Sequence, residues 1–226
     1  MNVITLASRK GGSGKSTLTA HLAAFAHQQG QRCLVLDADP QGSLSLWHSL
    51  RPDRAPPLAT AARGIDRLLA HAMIDGVEWV FIDTAPTLWV VVQEAIRAAT
   101  LVVIPARPGF FDLAAVAETV KVAREREKPY AVVINSAPVK RDDKEAPAVA
   151  LARRKLDALG VPVWAGQISQ RAGFTASLAA GFSVGEVAPD SAAAQEIVRL
   201  WSAIERSVKA IASAQPEPGV MHSRAA

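Results

Sequence analysis

The stretch SRKGGSGKST, residues 8–17, places the strongest constraint on how this chain can fold. A short apolar run precedes it at residues 3–7, and a helix-like segment follows from residue 15 to residue 29. Glycines between a strand and a helix let the backbone curl, so that its N–H groups and the positive helix N-terminus face an anion. The chain is therefore predicted to begin with a strand, a phosphate-binding loop and a helix.

Short apolar runs recur between helix-like segments along the rest of the chain. They do not alternate with polar residues, which is typical of strands buried on both faces of a parallel sheet. The predicted strands are residues 3–7, 32–36, 79–82, 101–105 and 131–134. The predicted helices are residues 15–29, 65–72, 88–98, 113–127, 147–159 and about 191–212. This alternation predicts an α/β fold with a doubly wound, mainly parallel sheet flanked by helices.

The length of 226 residues suits a single domain with a substantial core, which we expect to cover residues 1–213. Residues 214–226 contain two prolines and are expected to form a flexible tail. Residues 49–63 contain three prolines and are expected to form a surface loop.

Composition excludes several classes of protein. Half of the residues are hydrophobic, which excludes an intrinsically disordered chain. The single cysteine, Cys33, allows neither a disulfide framework nor a cysteine-held metal cluster, and it fits a reducing cytoplasm. Neither a basic leader nor an apolar stretch of about 18 residues is present, so no membrane span is expected. The net charge of +4 arises in residues 121–226, which indicates either an acidic partner such as DNA or an ordinary solvated surface.

The glycine-rich loop supplies the groups that bind a nucleoside triphosphate. Its backbone is expected to surround the phosphates, with Lys15 reaching the β- and γ-phosphates, Ser16 on Mg²⁺ and Thr17 on the α-phosphate. The candidate set is Gly11, Gly12, Ser13, Gly14, Lys15, Ser16 and Thr17. The loop departs from the usual pattern G-x-x-x-x-G-K-[ST] because position 9 is Arg, and a second lysine, Lys10, precedes the glycines.

Four polar side chains lie at the ends of predicted strands, where ligands of parallel sheets bind. Asp37 and Asp39 end the second strand, Asp83 ends the third and Asn135 ends the fifth. A carboxylate there can hold Mg²⁺ or orient a water for attack on the γ-phosphate, and the amide of Asn135 can pair with adenine. The alternative for each of them is that it stabilises a turn.

Three motifs together resemble those of the ParA/MinD family of deviant Walker A ATPases. The family loop K-G-G-x-G-K-[ST] matches residues 10–16, the motif D-x-D-P-Q matches residues 37–41, and the Walker B motif D-x-x-P matches residues 83–86. The resemblance runs from Met1 to about Ala212. The small size and the runs QGSLSLW and IPARPGFFDL are most similar to short ParA proteins of the ParF type, which partition plasmids.

The resemblance implies a role for each lysine of the loop. Lys10 would be the signature lysine, which crosses to the phosphates of the partner subunit in an ATP-bound dimer. Lys15 would bind the phosphates within its own subunit. A cation delivered by the partner stabilises charge that develops on the γ-phosphate, as an arginine finger does. ATP would then favour the homodimer, and hydrolysis would weaken it.

The resemblance also implies roles for the polar side chains at the strand ends. Ser16 and Asp83 would hold Mg²⁺, and Asp37 would support the loop and the shell around the metal. Asp39 would orient the attacking water, and Asn135 would contact adenine. ATP and Mg²⁺ are the implied cofactors, and slow intrinsic hydrolysis is expected.

The function implied by the resemblance is DNA partitioning in the cytoplasm, in association with the nucleoid. The ATP dimer would bind DNA without sequence preference through Lys and Arg contacts to phosphates. A ParB-like centromere-binding or cargo adaptor protein would stimulate hydrolysis and release the dimer. Basic residues of the second half are the candidate DNA contacts: Arg153, Arg154, Lys155, Arg171, Arg199, Arg206 and Lys209.

Two other functions remain open at this point. A related ATPase positions a protein cargo instead of DNA, and a small-molecule ligase or kinase uses the same loop. A membrane-associated relative is disfavoured because the C-terminal sequence SAQPEPGVMHSRAA has no apolar stripe. An iron–sulfur protein of the nitrogenase type is disfavoured because one cysteine cannot hold the cluster.

Overall fold

The strands of this chain form one parallel sheet. The computed structural model describes residues 1–87 and 89–214, without the side chains of Arg63 and Trp89. Its strands are β1 (Asn2–Leu6), β2 (Cys33–Ala38), β3 (Leu58–Thr60), β4 (Trp79–Thr84), β5 (Leu101–Ala106) and β6 (Tyr130–Ile134). Their order across the sheet is β3-β2-β4-β1-β5-β6, and every neighbouring pair runs parallel.

Helices cover both faces of this sheet. They are α1 (Lys15–Gln28), α2 (Ser43–Leu50), α3 (Ile65–Ile74), α4 (Trp89–Ala98), α5 (Phe110–Glu125), α6 (Pro147–Ala158), α7 (Ala172–Ala179), α8 (Val184–Val187) and α9 (Ala192–Ala214). Adjacent residues of β5 face opposite layers: Val103 packs with α1, α2, α7, α8 and α9, whereas Val102 packs with α4, α5 and α6. The predicted doubly wound α/β fold is confirmed.

Residues 49–63 do not form the simple surface loop that was predicted from their prolines. Leu58–Thr60 forms β3, which pairs with β2 at the edge of the sheet, and Arg51 is buried. A strand of three residues is too short to give a recognisable sequence pattern. The same reason applies to the unpredicted helices α2, α7 and α8, which have at most eight residues each.

The tail predicted at residues 214–226 lies almost wholly outside the described residues. Of the tail expected at residues 214–226, only Ala214, the last residue of α9, falls within the described residues.

Across the described helices, none has the combined length and apolar character needed to cross a membrane.

A buried ion pair attaches the C-terminal end of α2 to α8. The Arg51 side chain is 2% exposed, and its Nη2 lies 2.7 Å from Oε1 of Glu186. Its Nη1 donates to Gly181 O at 3.2 Å, and its guanidinium carbon lies 4.9 Å from the centre of the Trp47 ring. Moving the end of α2 would leave the buried guanidinium without these partners, which costs free energy. The end of α2 is therefore held in one place.

His21 attaches α1 to the same region. Its Nδ1 accepts a hydrogen bond from Val184 N at 3.1 Å, so the ring proton belongs on Nε2, which lies 3.3 Å from Phe174 O. Burial lowers the pKa of His21 to about 4, against the opposing effects of the Phe174 carbonyl and of Glu186. The folded protein therefore holds this histidine neutral.

We expect the free energy of unfolding to fall as the pH decreases from about 6.5, the pKa of an unfolded histidine, toward the lowered pKa of His21. The unfolded chain takes up a proton in this range that the folded chain excludes, which costs up to roughly 1.4 kcal/mol per pH unit. Urea unfolding at several pH values between neutrality and pH 4 measures the slope. His21→Gln should remove this contribution, whereas His71→Gln, which changes an exposed histidine, should keep the wild-type slope. An unchanged slope in His21→Gln would contradict this assignment.

Candidate nucleotide-binding site

A cleft with a volume of about 830 Å³ opens at the carboxyl ends of the strands. Its wall includes most of the residues predicted to bind a nucleotide: Gly11, Gly12, Gly14, Lys15, Ser16, Thr17, Asp39 and Asn135. The other predicted site residues, Lys10, Ser13, Asp37 and Asp83, are not part of this wall. The structure therefore assembles the loop, the end of β2 and the end of β6 around one space.

The glycine-rich loop has the backbone shape that an anion site needs. Gly12 and Gly14 have φ angles of +69° and +98°, a region that other residues rarely adopt. The first hydrogen bond into α1 runs from Leu18 N to Gly14 O at 2.9 Å. The N–H groups before Leu18 therefore have no partner within α1 and are available to a ligand at the helix N-terminus.

Asn135 supports this loop from the end of β6. Its Nδ2 donates to Ser13 O at 2.7 Å, and the side chain is buried. A Cβ atom at Gly14 would overlap the amide of Asn135. The amide nitrogen of Asn135 is thus bound to the loop, and its amide oxygen is left for another partner. Its contact to adenine stays a prediction.

Lys15 is buried at the start of α1, where the charges of Asp83 and Asp39 act on it. Burial lowers the pKa of Lys15, against the opposing effects of Asp83 and Asp39. Its Nζ lies 3.4 Å from Lys10 O. The ammonium is thus held under the loop, where it can meet the phosphates of a nucleotide.

Asp83 fits a site for a divalent cation. Both carboxylate oxygens are buried, and neither has a hydrogen-bond partner among the described residues. Burial raises the pKa of Asp83 to about 7, although Ser16 and Lys15 oppose this shift. A buried carboxylate without donors is costly, and oxygen ligands suit Mg²⁺. Ser16 and Asp83 are the residues that would hold the ion.

Asp37 and Asp39 have different surroundings although they end the same strand. Oδ2 of Asp37 accepts hydrogen bonds from Ser45 N at 2.9 Å and Ser45 Oγ at 2.7 Å, and its Oδ1 lies 3.3 Å from Asp39 N. Asp37 therefore fixes the first turn of α2, and no part of it reaches the cleft wall. Asp39 lies in the wall, and its Oδ1 accepts from Gln41 N at 3.0 Å.

Lys10 is the exposed lysine of the loop. Its backbone N–H lies 3.3 Å from Ser8 Oγ, which holds the chain at this point. Its ammonium has no ion pair in the part of the chain that the structure describes. The side chain is therefore free to reach a group outside its own cleft.

Two predicted DNA contacts are engaged within the chain. Arg153 pairs with Glu145 at 2.9 Å and donates to Trp164 O and Gly166 O. Arg171 pairs with Glu196 at 3.1 Å and lies in the cleft wall. Both arginines therefore have carboxylate partners within the chain, and their contact with DNA stays a prediction. The other predicted contacts are exposed: Arg154, Lys155, Arg199, Arg206 and Lys209.

The cleft wall also contains residues that the motifs do not point to. Arg107 follows β5, and Gln170 precedes α7. The rule that ligands bind beyond the carboxyl ends of parallel strands indicates Arg107, because β5 is a predicted strand. No sequence signal indicates Gln170, since its place depends on how the chain crosses from β6 to α7.

Comparisons with known proteins point to one family. A model of the CobQ/CobB/MinD/ParA nucleotide binding domain matches residues 4–184. The maintenance of carboxysome distribution protein A of Gloeobacter kilaueensis is 37% identical over 127 residues, which cover 52% of this chain and 55% of that protein. Protein ParA of Rhizobium radiobacter is 31% identical over 131 residues, which cover 57% and 59%. The match therefore spans little more than half the length of these relatives.

Solved structures agree on the fold. The septum site-determining protein MinD of Pyrococcus horikoshii, solved with Mg-ADP, superposes with a TM-score of 0.68 at 16% identity. The superposition covers 93% of this chain and 98% of that chain. At this level of identity the likeness establishes the fold alone.

We expect Gly14→Ala to lower the free energy of unfolding by about 1–3 kcal/mol, because it forces a side chain into left-handed backbone and against Asn135. Thermal and urea unfolding measure this loss. Gly11→Ala is the matched control, since a Cβ atom there meets nothing within 4 Å. The double variant Gly14→Ala/Asn135→Ala should cost less than the sum of its single changes. If the losses in the free energy of unfolding are additive instead, the side chain at position 14 does not clash with Asn135.

Proposed function

Because the chain belongs to the CobQ/CobB/MinD/ParA nucleotide-binding family, we propose that it is an ATPase that dimerises on ATP and partitions DNA. The observation that carries this proposal is the contrast between two lysines of one loop. Lys15 is buried and lies under the influence of the charges of Asp83 and Asp39, whereas Lys10 is exposed and has no ion pair among the described residues. One lysine serves the nucleotide of its own chain, and the other is available to a second subunit.

Residues of the cleft wall, together with Asp83 behind it, have separate roles in hydrolysis. Mg²⁺, when bound, neutralises charge on the phosphate oxygens. Lys15 and the loop N–H groups position the phosphates, while Ser16 and Asp83 hold the ion. Asp39 has one oxygen bound to Gln41 N, and its other oxygen orients the attacking water. With Asp39 alone orienting the water in an open cleft, hydrolysis is slow until a second subunit adds its groups to the site.

The dimer acts as a switch because it depends on the terminal phosphate. Lys10 of each subunit stabilises the phosphates bound by the other, so the ATP form is paired. Loss of the terminal phosphate removes this attraction, and the subunits separate. A ParB-like adaptor that accelerates hydrolysis therefore sets the lifetime of the dimer.

DNA binding depends on the exposed face of α9. Arg199 and Arg206 are seven residues apart and share one face of this helix, and Lys209 lies three residues further on. All three are exposed, and Arg154 and Lys155 add positive charge on α6. Pairing two subunits doubles the number of phosphate contacts, so the dimer binds DNA more strongly than the monomer. This binding would hold the ATP form on the nucleoid in the cytoplasm.

The second candidate function is positioning of a protein cargo. The relative from Gloeobacter kilaueensis, at 37% identity, is a carboxysome distribution protein, which supports this alternative. The ATP switch and the DNA-binding face are the same in both functions. Only the adaptor differs, because it carries either a centromere-binding surface or a cargo-binding surface.

We expect Lys10→Ala to bind ATP but to form no ATP-dependent dimer, because its own phosphate contacts remain while the contact across subunits is lost. Size-exclusion chromatography with light scattering, with and without ATP, measures the dimer. Hydrolysis should fall at least about 100-fold, as it does when a donor to transition-state charge is removed.

Lys140→Ala is the control for this prediction, since Lys140 is an exposed lysine outside the cleft wall. It should dimerise as the wild type does. An ATP-dependent dimer of Lys10→Ala would rule out the role of Lys10. If ATP hydrolysis by the wild type requires a carboxylic acid substrate and does not change when DNA is added, a small-molecule ligase is favoured instead.

We expect the triple variant Arg199→Ala/Arg206→Ala/Lys209→Ala to bind duplex DNA more weakly in its ATP form. The slope of log affinity against log salt should fall by about 3 per subunit that contacts DNA, because each contact releases about one counterion. Fluorescence anisotropy with random-sequence duplex at several salt concentrations measures both quantities. Lys140→Ala/Arg141→Ala/Lys144→Ala removes the same charge elsewhere and should keep the wild-type slope. Equal slopes in the two triple variants would contradict the assignment of α9 to the DNA interface.

A further inference from the structure

Arg107 lies against the phosphate-binding loop, although it belongs to a different segment. It follows β5 directly, and β5 pairs with β1 in parallel, so both strands end at the same edge of the sheet. Nη2 of Arg107 lies 3.3 Å from the point where a Cβ atom on Gly12 would be. The guanidinium therefore covers the face of Gly12 and forms part of the cleft wall.

This guanidinium adds positive charge that no carboxylate offsets. Arg107 is exposed and has no ion pair or side-chain hydrogen bond within residues 1–87 and 89–214. The other arginine of the wall, Arg171, is neutralised by Glu196 at 3.1 Å. Lys15 has Asp83 and Asp39 as acidic neighbours. Of the two arginines in the described cleft wall, Arg107 is thus the one left for an anionic ligand.

The position of Arg107 along the loop indicates which part of a nucleotide it meets. The N–H groups at the start of α1 and the buried Lys15 serve the phosphates nearest the helix. Gly12 precedes the helix by three residues and lies on the outer part of the loop, where Arg107 covers it. A planar guanidinium there presents parallel N–H donors, which match two oxygens of one phosphate.

We propose that Arg107 binds the terminal phosphate of the nucleoside triphosphate and so makes the site prefer the triphosphate over the diphosphate. This inference rests on the proposed nucleotide-binding function. It differs from the role of Lys10, because Arg107 acts on the nucleotide of its own chain. Gly12 leaves room for the guanidinium beside it, and its φ angle of +69° favours glycine at this position.

Isothermal titration with Mg²⁺ and either a non-hydrolysable ATP analogue or ADP tests this inference. Arg107→Ala should weaken binding of the analogue by about 10-fold or more, the usual effect of losing hydrogen bonds to a charged group. Binding of ADP should stay within about threefold of the wild type, because the lost contact is to the terminal phosphate. Arg107→Lys should recover only part of the loss, since a lysine cannot present the planar pair of donors.

Two controls test whether the contact is specific to Arg107 and direct. Arg141→Ala removes an exposed arginine outside the cleft and should bind both nucleotides as the wild type does. The same titrations on the Lys10→Ala background test whether the effect needs the dimer. A loss that disappears on that background would overturn the direct contact.

The result also distinguishes the inference from the function on which it rests. If the wild type binds neither nucleotide, the proposed ATPase function fails. If the wild type binds the analogue and Arg107→Ala binds it equally well, the role of Arg107 fails and the function stands. An equal loss for the analogue and ADP would also overturn the preference for the terminal phosphate.

Discussion

The hydrogen bond from Asn135 Nδ2 to Ser13 O is the contact on which the candidate site depends. It joins the end of β6 to the loop after β1, across the intervening strand β5. Gly14 must adopt left-handed backbone beside this amide, and α1 begins at the next residue. The bond therefore sets both the shape of the loop and the direction in which the helix N-terminus points. A loop of three glycines would otherwise lose this shape easily, because glycine restricts the backbone least.

Buried polar contacts extend this order to the helices around the cleft. His21 of α1 is bound by backbone groups of Phe174 and Val184, and Arg51 at the end of α2 is bound by Glu186. Asp37 fixes the beginning of α2 through Ser45. The helices α1 and α2, which follow β1 and β2, are thus attached to the region of α7 and α8. Contacts of this kind specify one arrangement, because a shift would leave buried donors and acceptors unsatisfied.

The sequence predicts the fold and the loop well because both depend on local patterns. Unbroken apolar runs indicate buried parallel strands, and their ends locate Asp39 and Asn135 at the cleft. Short elements such as β3 and α2 carry too few residues for such a pattern. The environments of Arg153 and Arg171 depend on ion pairs with Glu145, eight residues away, and Glu196, 25 residues away, which composition cannot reveal. The burial of Asp83 is predictable from its strand, but its lack of donors appears only in three dimensions.

Several charged groups around the cleft have no adequate partner within the described residues. Asp83 has two buried oxygens without donors, and Lys10 and Arg107 are cations without carboxylates. The proposals assign a different partner to each: a divalent cation to Asp83, the phosphates of a second subunit to Lys10 and the terminal phosphate of a nucleotide to Arg107. In the proposed function, a metal-bound triphosphate held between two copies would supply all three at once. Under the proposed function, the electrostatics of the cleft would therefore favour the paired, ATP-bound state, and hydrolysis would remove a phosphate on which the roles proposed for Lys10 and Arg107 depend.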